Sequence, residues 1–166
     1  MQGLLVVVGV SLASCIKPQA TASLPLHMPI SAEVIYQSQQ CNMQEPHASW
    51  ISSQSQLQSL FVNLQKSFIN NQTAKPPAID FLQFGGLLVA MGQKNTGGYG
   101  LKMMADSVEL NDKVLSVSLQ WQEPKPGMIV IQALTSPCLL MKIPKGEYRR
   151  IEIKDQVGTI RLQVSL

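Results

Sequence analysis

The sequence predicts a mainly β fold of the α+β class: an antiparallel β-sandwich or barrel-like sheet with one packed amphipathic helix near its N-terminus. Two observations predict it. Residues 53–69 carry the one clear helical stripe of apolar side chains, and the chain after Pro77 is strand-like, with apolar or alternating segments about every 10 to 15 residues. One helix followed by a series of strands is typical of a sandwich or barrel with a helix packed against it.

The helix is predicted between Ser53 and Ile69. Ser53 with Gln56 three residues later has the form of a capping box, and Asn70-Asn71 followed by Pro76-Pro77 supplies the stop. The apolar side chains recur at spacings of three, four and seven, which places them on one face: Leu57, Leu60, Phe61, Leu64 and Phe68. We therefore expect this face to pack on the strands.

The segments after Pro77 are assigned to strands by their apolar patterns. Residues 84–91 are almost continuously apolar, which is typical of a central strand buried on both faces. Residues 115–121 alternate apolar and polar side chains, as a half-buried strand does, and residues 107–110 are the expected hairpin partner. Further strands, of which the last two form a terminal hairpin, are expected at residues 33–36, 128–134, 139–143, 148–154 and 159–166.

The first fifteen residues have the pattern of a bacterial lipoprotein signal. The apolar run at residues 4–10 is too short to cross about 30 Å of hydrocarbon, and it is followed by small residues directly before Cys15. We expect residues 1–14 to be a signal peptide, Cys15 to carry palmitate, and residues 15–29 to be a flexible tether. The alternative is a buried N-terminal strand with Cys15 an ordinary thiol.

Residues 30–166 are then one globular domain, because a folded part of this size has room for a single core. The chain resembles sorted lipoproteins in which a residue other than Asp follows the acylated cysteine, here Ile16. That resemblance implies a lipid-anchored protein of the bacterial cell envelope, facing the periplasm and held in the outer membrane.

Two cysteines remain once Cys15 is lipidated, and two cysteines can pair in an oxidising compartment. We therefore predict a disulfide between Cys41 and Cys138, which would staple the N-terminal segment onto the domain. The alternative is that Cys138, within an apolar run, is a buried thiol and Cys41 an exposed one.

No constellation of catalytic or metal-binding residues stands out. The histidines, His27 and His47, lack a ligand partner at metal-binding spacing, and nothing local supports the best nucleophilic trio of Cys138, His47 and Asp80. Asp80 is interpreted as a turn or strand-end residue, and Trp50 and Trp121 as core or anchor residues. The formal net charge of +3 leaves no nucleic-acid footprint. We expect no enzyme activity, metal, cofactor, nucleic acid or small-molecule substrate.

The sequence carries one family resemblance. Residues 92–99 read G-x-K-x-T-G-G-Y, and Pro126-Gly127, Thr135-Ser136-Pro137 and Ile143-Pro144-Lys145 follow in that order. Over roughly residues 79–145 this order resembles the C-terminal domain of the protease complex subunit PrcB family. The resemblance implies a small, non-enzymatic lipoprotein that associates with or stabilises an extracytoplasmic protease complex. One departure is Cys138, where members of the family often have an aromatic residue.

Two loops are the candidate protein-binding residues: Asn95, Thr96, Gly97, Gly98 and Tyr99, together with Thr135, Ser136 and Pro137. The glycines permit a positive φ and a close approach, and Tyr99 offers a large amphipathic ring. The alternative is a tight turn with Tyr99 facing the core. Residues 95–99 are also similar to a segment of chagasin-like cysteine protease inhibitors, so inhibition of a protease through the same loops is the second functional hypothesis.

Overall fold

Nine strands and one helix lie within residues 28–65 and 75–166, the residues that this computed structural model describes. The predicted signal peptide, Cys15 and the predicted tether as far as residue 27 lie outside them. In chain order the elements are β1 Met28–Pro29, β2 Glu33–Ser38, β3 Pro46–Ile51, α1 Gln54–Gln65, β4 Phe84–Met91, β5 Gly100–Asn111, β6 Val114–Gln122, β7 Cys138–Pro144, β8 Arg150–Lys154 and β9 Ile160–Ser165.

Two sheets lie face to face, as the predicted β-sandwich requires. One has the strand order β1-β5-β6-β8-β9 and the other β2-β7-β4-β3, so the sheets are open and do not close into a barrel. Every pair among these strands is antiparallel except β6–β8, which is parallel. The parallel pair was not predicted. Strand β7 lies between β6 and β8 in sequence but belongs to the other sheet, so the chain crosses to that sheet and back, and β8 runs in the same direction as β6.

Strand β4 is buried on both faces, as predicted from its continuous apolar run. Leu87, Val89 and Met91 contribute to the core between the sheets, and Leu88 and Ala90 belong to a second core under the helix. Strand β7, paired with β4, divides its side chains in the same way. Trp121 is buried in the core between the sheets and Trp50 packs at its margin, which confirms both as core residues.

Helix α1 covers the outer face of the four-stranded sheet through the predicted stripe. Leu57, Phe61 and Leu64 are fully or almost fully buried there. The Gln56 N–H donates to Ser53 Oγ at 3.3 Å, which confirms the predicted N-cap. The predicted end of the helix at Ile69 lies outside the described residues. Among the described residues, no helix has the length and apolar character needed to span a membrane.

The hairpin formed by β5 and β6 has the two-residue turn that matches the twist of its strands. Asp112 and Lys113 have φ values of 45° and 62°, so both central residues are left-handed, as in a type I′ turn. This confirms the predicted pairing of residues 107–110 with 115–121 and extends it to Gly100. The terminal hairpin, β8 with β9, is also confirmed.

Two assignments differ from the prediction. The strand expected at residues 128–134 is wrong: these residues form a loop between the end of β6 at Gln122 and the isolated bridge of Thr135 with Lys94. Strand β3 was not predicted. It begins with Pro46 and has no regular alternation, which suits an edge strand that leaves some N–H groups unpaired.

The predicted disulfide between Cys41 and Cys138 is present. It joins residues 97 positions apart, with a Cα–Cα distance of 5.9 Å, and both cysteines are buried in the core beneath α1. The bond therefore fixes the segment between β2 and β3 to the first residue of β7.

Loss of this disulfide should destabilise the fold severely. Replacing Cys41 and Cys138 by Ala removes a cross-link that closes a loop of almost one hundred residues, for which the chain-entropy model gives about 4 to 5 kcal/mol. Urea unfolding of the double variant and of the parent, both with Cys15→Ser, measures the loss. Reduction of the parent with dithiothreitol should lower the unfolding midpoint comparably, and equal midpoints for oxidised and reduced protein would contradict the assignment.

Candidate protein-binding site

The irregular segments that carry the candidate residues meet at one end of the sandwich, here called the loop end. Strand β4 ends there at Met91, β6 ends at Gln122 and β7 begins at Cys138. The segments that lie at this end are residues 39–45, 92–99, 123–137 and 155–159. The fold thus brings the two sequence-predicted loops together.

The backbone of Thr135 and Ser136 ties these segments to one another. Thr135 exchanges two hydrogen bonds with Lys94, at N–O distances of 2.8 and 2.9 Å. Ser136 donates its N–H to the Gln39 carbonyl at 2.8 Å and accepts the Cys41 N–H at 2.9 Å. Two loops that are distant in sequence are therefore held by adjacent residues.

The side chains of this tie point inward. The Ser136 hydroxyl donates to the Met43 carbonyl at 2.9 Å and accepts the Met43 N–H at 3.0 Å, and Thr135 Oγ1 donates to the Thr96 carbonyl at 3.0 Å. Thr135 is 8% exposed and Ser136 5%, and Pro137 is also buried. In this fold these residues position the loops and do not offer a contact surface, which differs from the direct binding role predicted for them.

Gly97 and Gly98 are required by the local geometry. Gly97 donates its N–H to the Ile131 carbonyl at 2.9 Å, and a Cβ added at Gly97 would lie 2.7 Å from Ile131 Cγ1. Gly98 has a φ of +88°. Tyr99 is half-buried against the core, with Lys94 Nζ 5.4 Å from its ring centroid. This matches the tight-turn alternative. Of residues 95–99, Asn95 and Gly98 are exposed.

Four exposed apolar side chains lie close together in sequence within residues 128–134, here called the apolar loop. Ile129 is 99% exposed and Ile131 72%, and Met128 and Leu134 are more than half exposed. Its far end is held where Gln40 Nε2 donates to the Leu134 carbonyl at 2.8 Å. Sequence reasoning took its apolar residues for a strand; the turn signal Pro126-Gly127 before it was the cue to a loop. Large apolar side chains clustered in solvent mark interaction surfaces.

The β8–β9 turn at the same end is held by Asp155 and contacts the end of β6, where the Trp121 N–H donates to Gln156 Oε1 at 2.9 Å. Burial alone would raise the pKa of Asp155. The N–H groups of Thr159 and Val157 and the guanidinium of Arg161 stabilise its carboxylate and outweigh this effect, so the pKa of Asp155 lies below its ordinary value. The two N–H groups lie 2.9 and 3.0 Å from Oδ1, and Arg161 Nε lies 2.8 Å from Oδ2. Arg161 also lies over the Trp121 ring, at 5.6 Å from its centroid.

The structure does not assemble the nucleophilic trio considered from the sequence. Cys138 is in the disulfide, His47 is exposed on the edge strand β3, and Asp80 lies before β4, at the opposite end of that strand from Cys138. Asp80 Oδ1 accepts the N–H of Leu82 at 3.0 Å, which confirms it as a turn residue. Within residues 28–65 and 75–166 no group of three or more His, Cys, Asp or Glu side chains is placed to hold a metal ion.

Removal of the Ser136 hydroxyl should loosen the tie. Ser136→Ala leaves the Met43 N–H and carbonyl without their partner, and we expect a loss of about 1 to 3 kcal/mol in the free energy of unfolding. Ser118→Ala on the outward face of β6 is the matched control and should change stability by less than about 0.5 kcal/mol. Equal effects of the two substitutions in urea unfolding would show that the Ser136–Met43 contacts contribute nothing.

One comparison with known proteins matches the segment that contains this site. The family model described as PrcB C-terminal matches residues 87–144, from within β4 to the end of β7. No curated protein and no solved structure matches the chain. The matched segment holds the Gly-Gly-Tyr turn, the apolar loop and Thr135 to Pro137, so the resemblance seen in the sequence is confirmed: residues 87–144 are similar to the PrcB C-terminal domain.

Proposed function

We propose that this protein is a non-enzymatic, lipid-anchored periplasmic module that binds a protein partner through the apolar loop and acts as a subunit of an extracytoplasmic protease complex. One observation carries the proposal: large apolar side chains are exposed to solvent at the loop end. They belong to a loop held by the buried residues Thr135 and Ser136, and that loop lies within the segment that matches the family model.

The apolar loop has the physical properties of a docking surface. Covering Met128, Ile129, Ile131 and Leu134 would remove apolar area from water, at about 25 cal/mol per Å². The loop is held where Thr135 pairs with Lys94 and where the Ile131 carbonyl accepts the Gly97 N–H, so less conformational entropy is lost when a partner orders it.

The position of the N-terminal strand supports a tethered arrangement. Met28 in β1 pairs with Leu110, beside the turn at Asp112 and Lys113, whereas the apolar loop follows the other end of β6. The nine residues of β6, at about 3.3 Å each, separate the two ends by about 30 Å. A chain anchored through Cys15 would therefore enter the domain at the hairpin end, about 30 Å from the apolar loop.

The same geometry bears on the inhibitor hypothesis. A loop that enters an active-site cleft needs a projecting tip, but Gly97 is buried against Ile131 and Tyr99 packs on the core. We therefore favour a docking role over insertion of residues 95–99 into a protease. The two roles differ in one measurable property: a docking subunit leaves turnover by its partner protease intact, whereas an inhibitor lowers it.

The lipid anchor is tested by metabolic labelling with palmitate in a bacterial host that processes lipoproteins. The parent chain should be recovered from the membrane fraction as a labelled, shortened protein that begins at Cys15. Cys15→Ser is the control and should remain unlabelled. An unlabelled parent chain, or a Cys15→Ser chain that keeps the label, would contradict the anchor.

The docking surface is tested by affinity capture of envelope proteins with the solubilised full chain. Ile129→Asp places a charge at the most exposed position of the apolar loop, so recovery of the bound protein should fall about tenfold or more, as for a central interface residue. Leu82→Asp, a matched control that is 90% exposed at the opposite end of β4, should leave recovery unchanged.

Two outcomes would overturn the proposal. One is capture that is equally strong with Ile129→Asp and the parent, since the bound protein would then lie elsewhere on the domain. The other is a captured protease whose turnover of a peptide substrate falls when the purified chain is added and recovers when residues 95–99 are replaced, since that result assigns the inhibitory role.

A further inference from the structure

A groove lies at the end of β6, beside the apolar loop. It consists of two adjoining depressions, of about 380 and 480 Å³, which share four lining residues: Gln120, Gln122, Glu123 and Lys125. The first extends to Met104, Trp121 and Gln156, and the second to Gly98 and residues 128–131. We call the surface formed by the four shared residues and both extensions the β6 groove. Two open depressions that share four lining residues offer adjoining positions for successive side chains of an extended chain.

The floor of the groove offers unused hydrogen-bonding groups. Gln120 and Gln122 are outward-facing residues of β6, and both are exposed. Neither side-chain amide has a hydrogen-bond partner among the described residues. A primary amide presents one acceptor and two donors, so two of them two residues apart match the repeating N–H and carbonyl groups of an extended peptide. Apolar walls at Met104, Met128 and Ile129 flank this polar floor.

The groove is lined by one acidic and one basic side chain, Glu123 and Lys125, and among the described residues only the acidic one has an ion pair. Glu123 lies 4.0 Å from Arg161, which is itself bound to Asp155, so the carboxylates at this border face a cation. Lys125 lines both depressions and, in the described part of the chain, has no ion pair. Lys102, the cross-strand neighbour of Gln120, is a second exposed cation of this surface. An incoming carboxylate would therefore find an unneutralised ammonium at Lys125.

We infer that the β6 groove takes an extended segment of the protein partner that carries apolar side chains and an acidic side chain, with the acidic group at Lys125 and the apolar groups against Met128 and Ile129. The inference rests on the proposed docking function and names the chemistry of the segment recognised. The backbone of that segment would bond to the amides of Gln120 and Gln122.

The test is selection of peptides from a random displayed library on the immobilised full chain, followed by affinity measurement with a synthetic copy of the best binder. We expect binders rich in apolar residues with at least one Asp or Glu. Lys125→Glu should weaken the synthetic peptide about tenfold or more, and changing the peptide's acidic residue to Lys should restore binding to Lys125→Glu. Lys145→Glu, a lysine at the opposite end of β7, is the matched control and should have no effect.

The inference fails if no peptide is selected, if the binders lack acidic residues, or if Lys125→Glu and Lys145→Glu act alike. It also fails if the chain self-associates in sedimentation and Ile129→Asp abolishes this, since the groove would then accept a second copy. In each case the docking function stands as long as envelope capture still depends on Ile129. If capture does not depend on Ile129 while the selected peptide still requires Lys125, the groove is a peptide site and the proposed docking role of the apolar loop is wrong.

Discussion

The backbone of Thr135 and Ser136 forms hydrogen bonds with two other loops, and the arrangement of the loop end depends on these hydrogen bonds. Lys94 is held on one side and the segment from Gln39 to Cys41 on the other. The disulfide from Cys138 fixes the second of these loops covalently, two residues farther along. The chain before Thr135 has no strand partner and is looped out, which is why apolar side chains there stand in solvent rather than in the core.

Much of the architecture could be predicted because its signals are local. Continuous apolarity identified β4, the three-and-four spacing identified α1 with its Ser53 cap, and alternation identified β6. These patterns indicate how many faces of an element are buried, and the number of buried faces depends on the layer that the element occupies in the sandwich. The disulfide followed from counting cysteines and from the compartment that the signal implies, which requires no knowledge of the strand order.

The features that were not predicted share a different cause. Each depends on which strand a segment pairs with, and the local sequence does not determine that pairing. Residues 128–134 have the composition of a strand, yet they pair with no strand of the described residues, and regular contact resumes only at Thr135, which pairs with Lys94. The parallel pairing of β6 with β8 is decided by the placement of β7 in the other sheet. Strand β3 has little pattern of its own and is defined by its register with β4.

The candidate site shows the same division. The sequence identified the two loops that meet, because Gly97-Gly98 and Ser136-Pro137 have distinctive turn chemistry, but it could not tell that their side chains would face inward. Thr135 and Ser136 supply the frame, and the side chains exposed on it belong to the neighbouring segment that was assigned to a strand. A frame of buried polar groups with an apolar loop held above it is the arrangement on which the proposed docking role depends.

Amide hydrogen exchange of the full chain tests this arrangement most directly, because it measures the frame and the loop in one experiment. The N–H groups of Lys94, Gly97, Thr135 and Ser136 all donate to backbone carbonyls, and they should exchange slowly, together with those of β4 and β7. The N–H groups of Ile129 and Val130 should exchange rapidly. Fast exchange at Lys94 and Thr135, comparable with that of Ile129, would contradict the account, since the apolar loop would then have no fixed support.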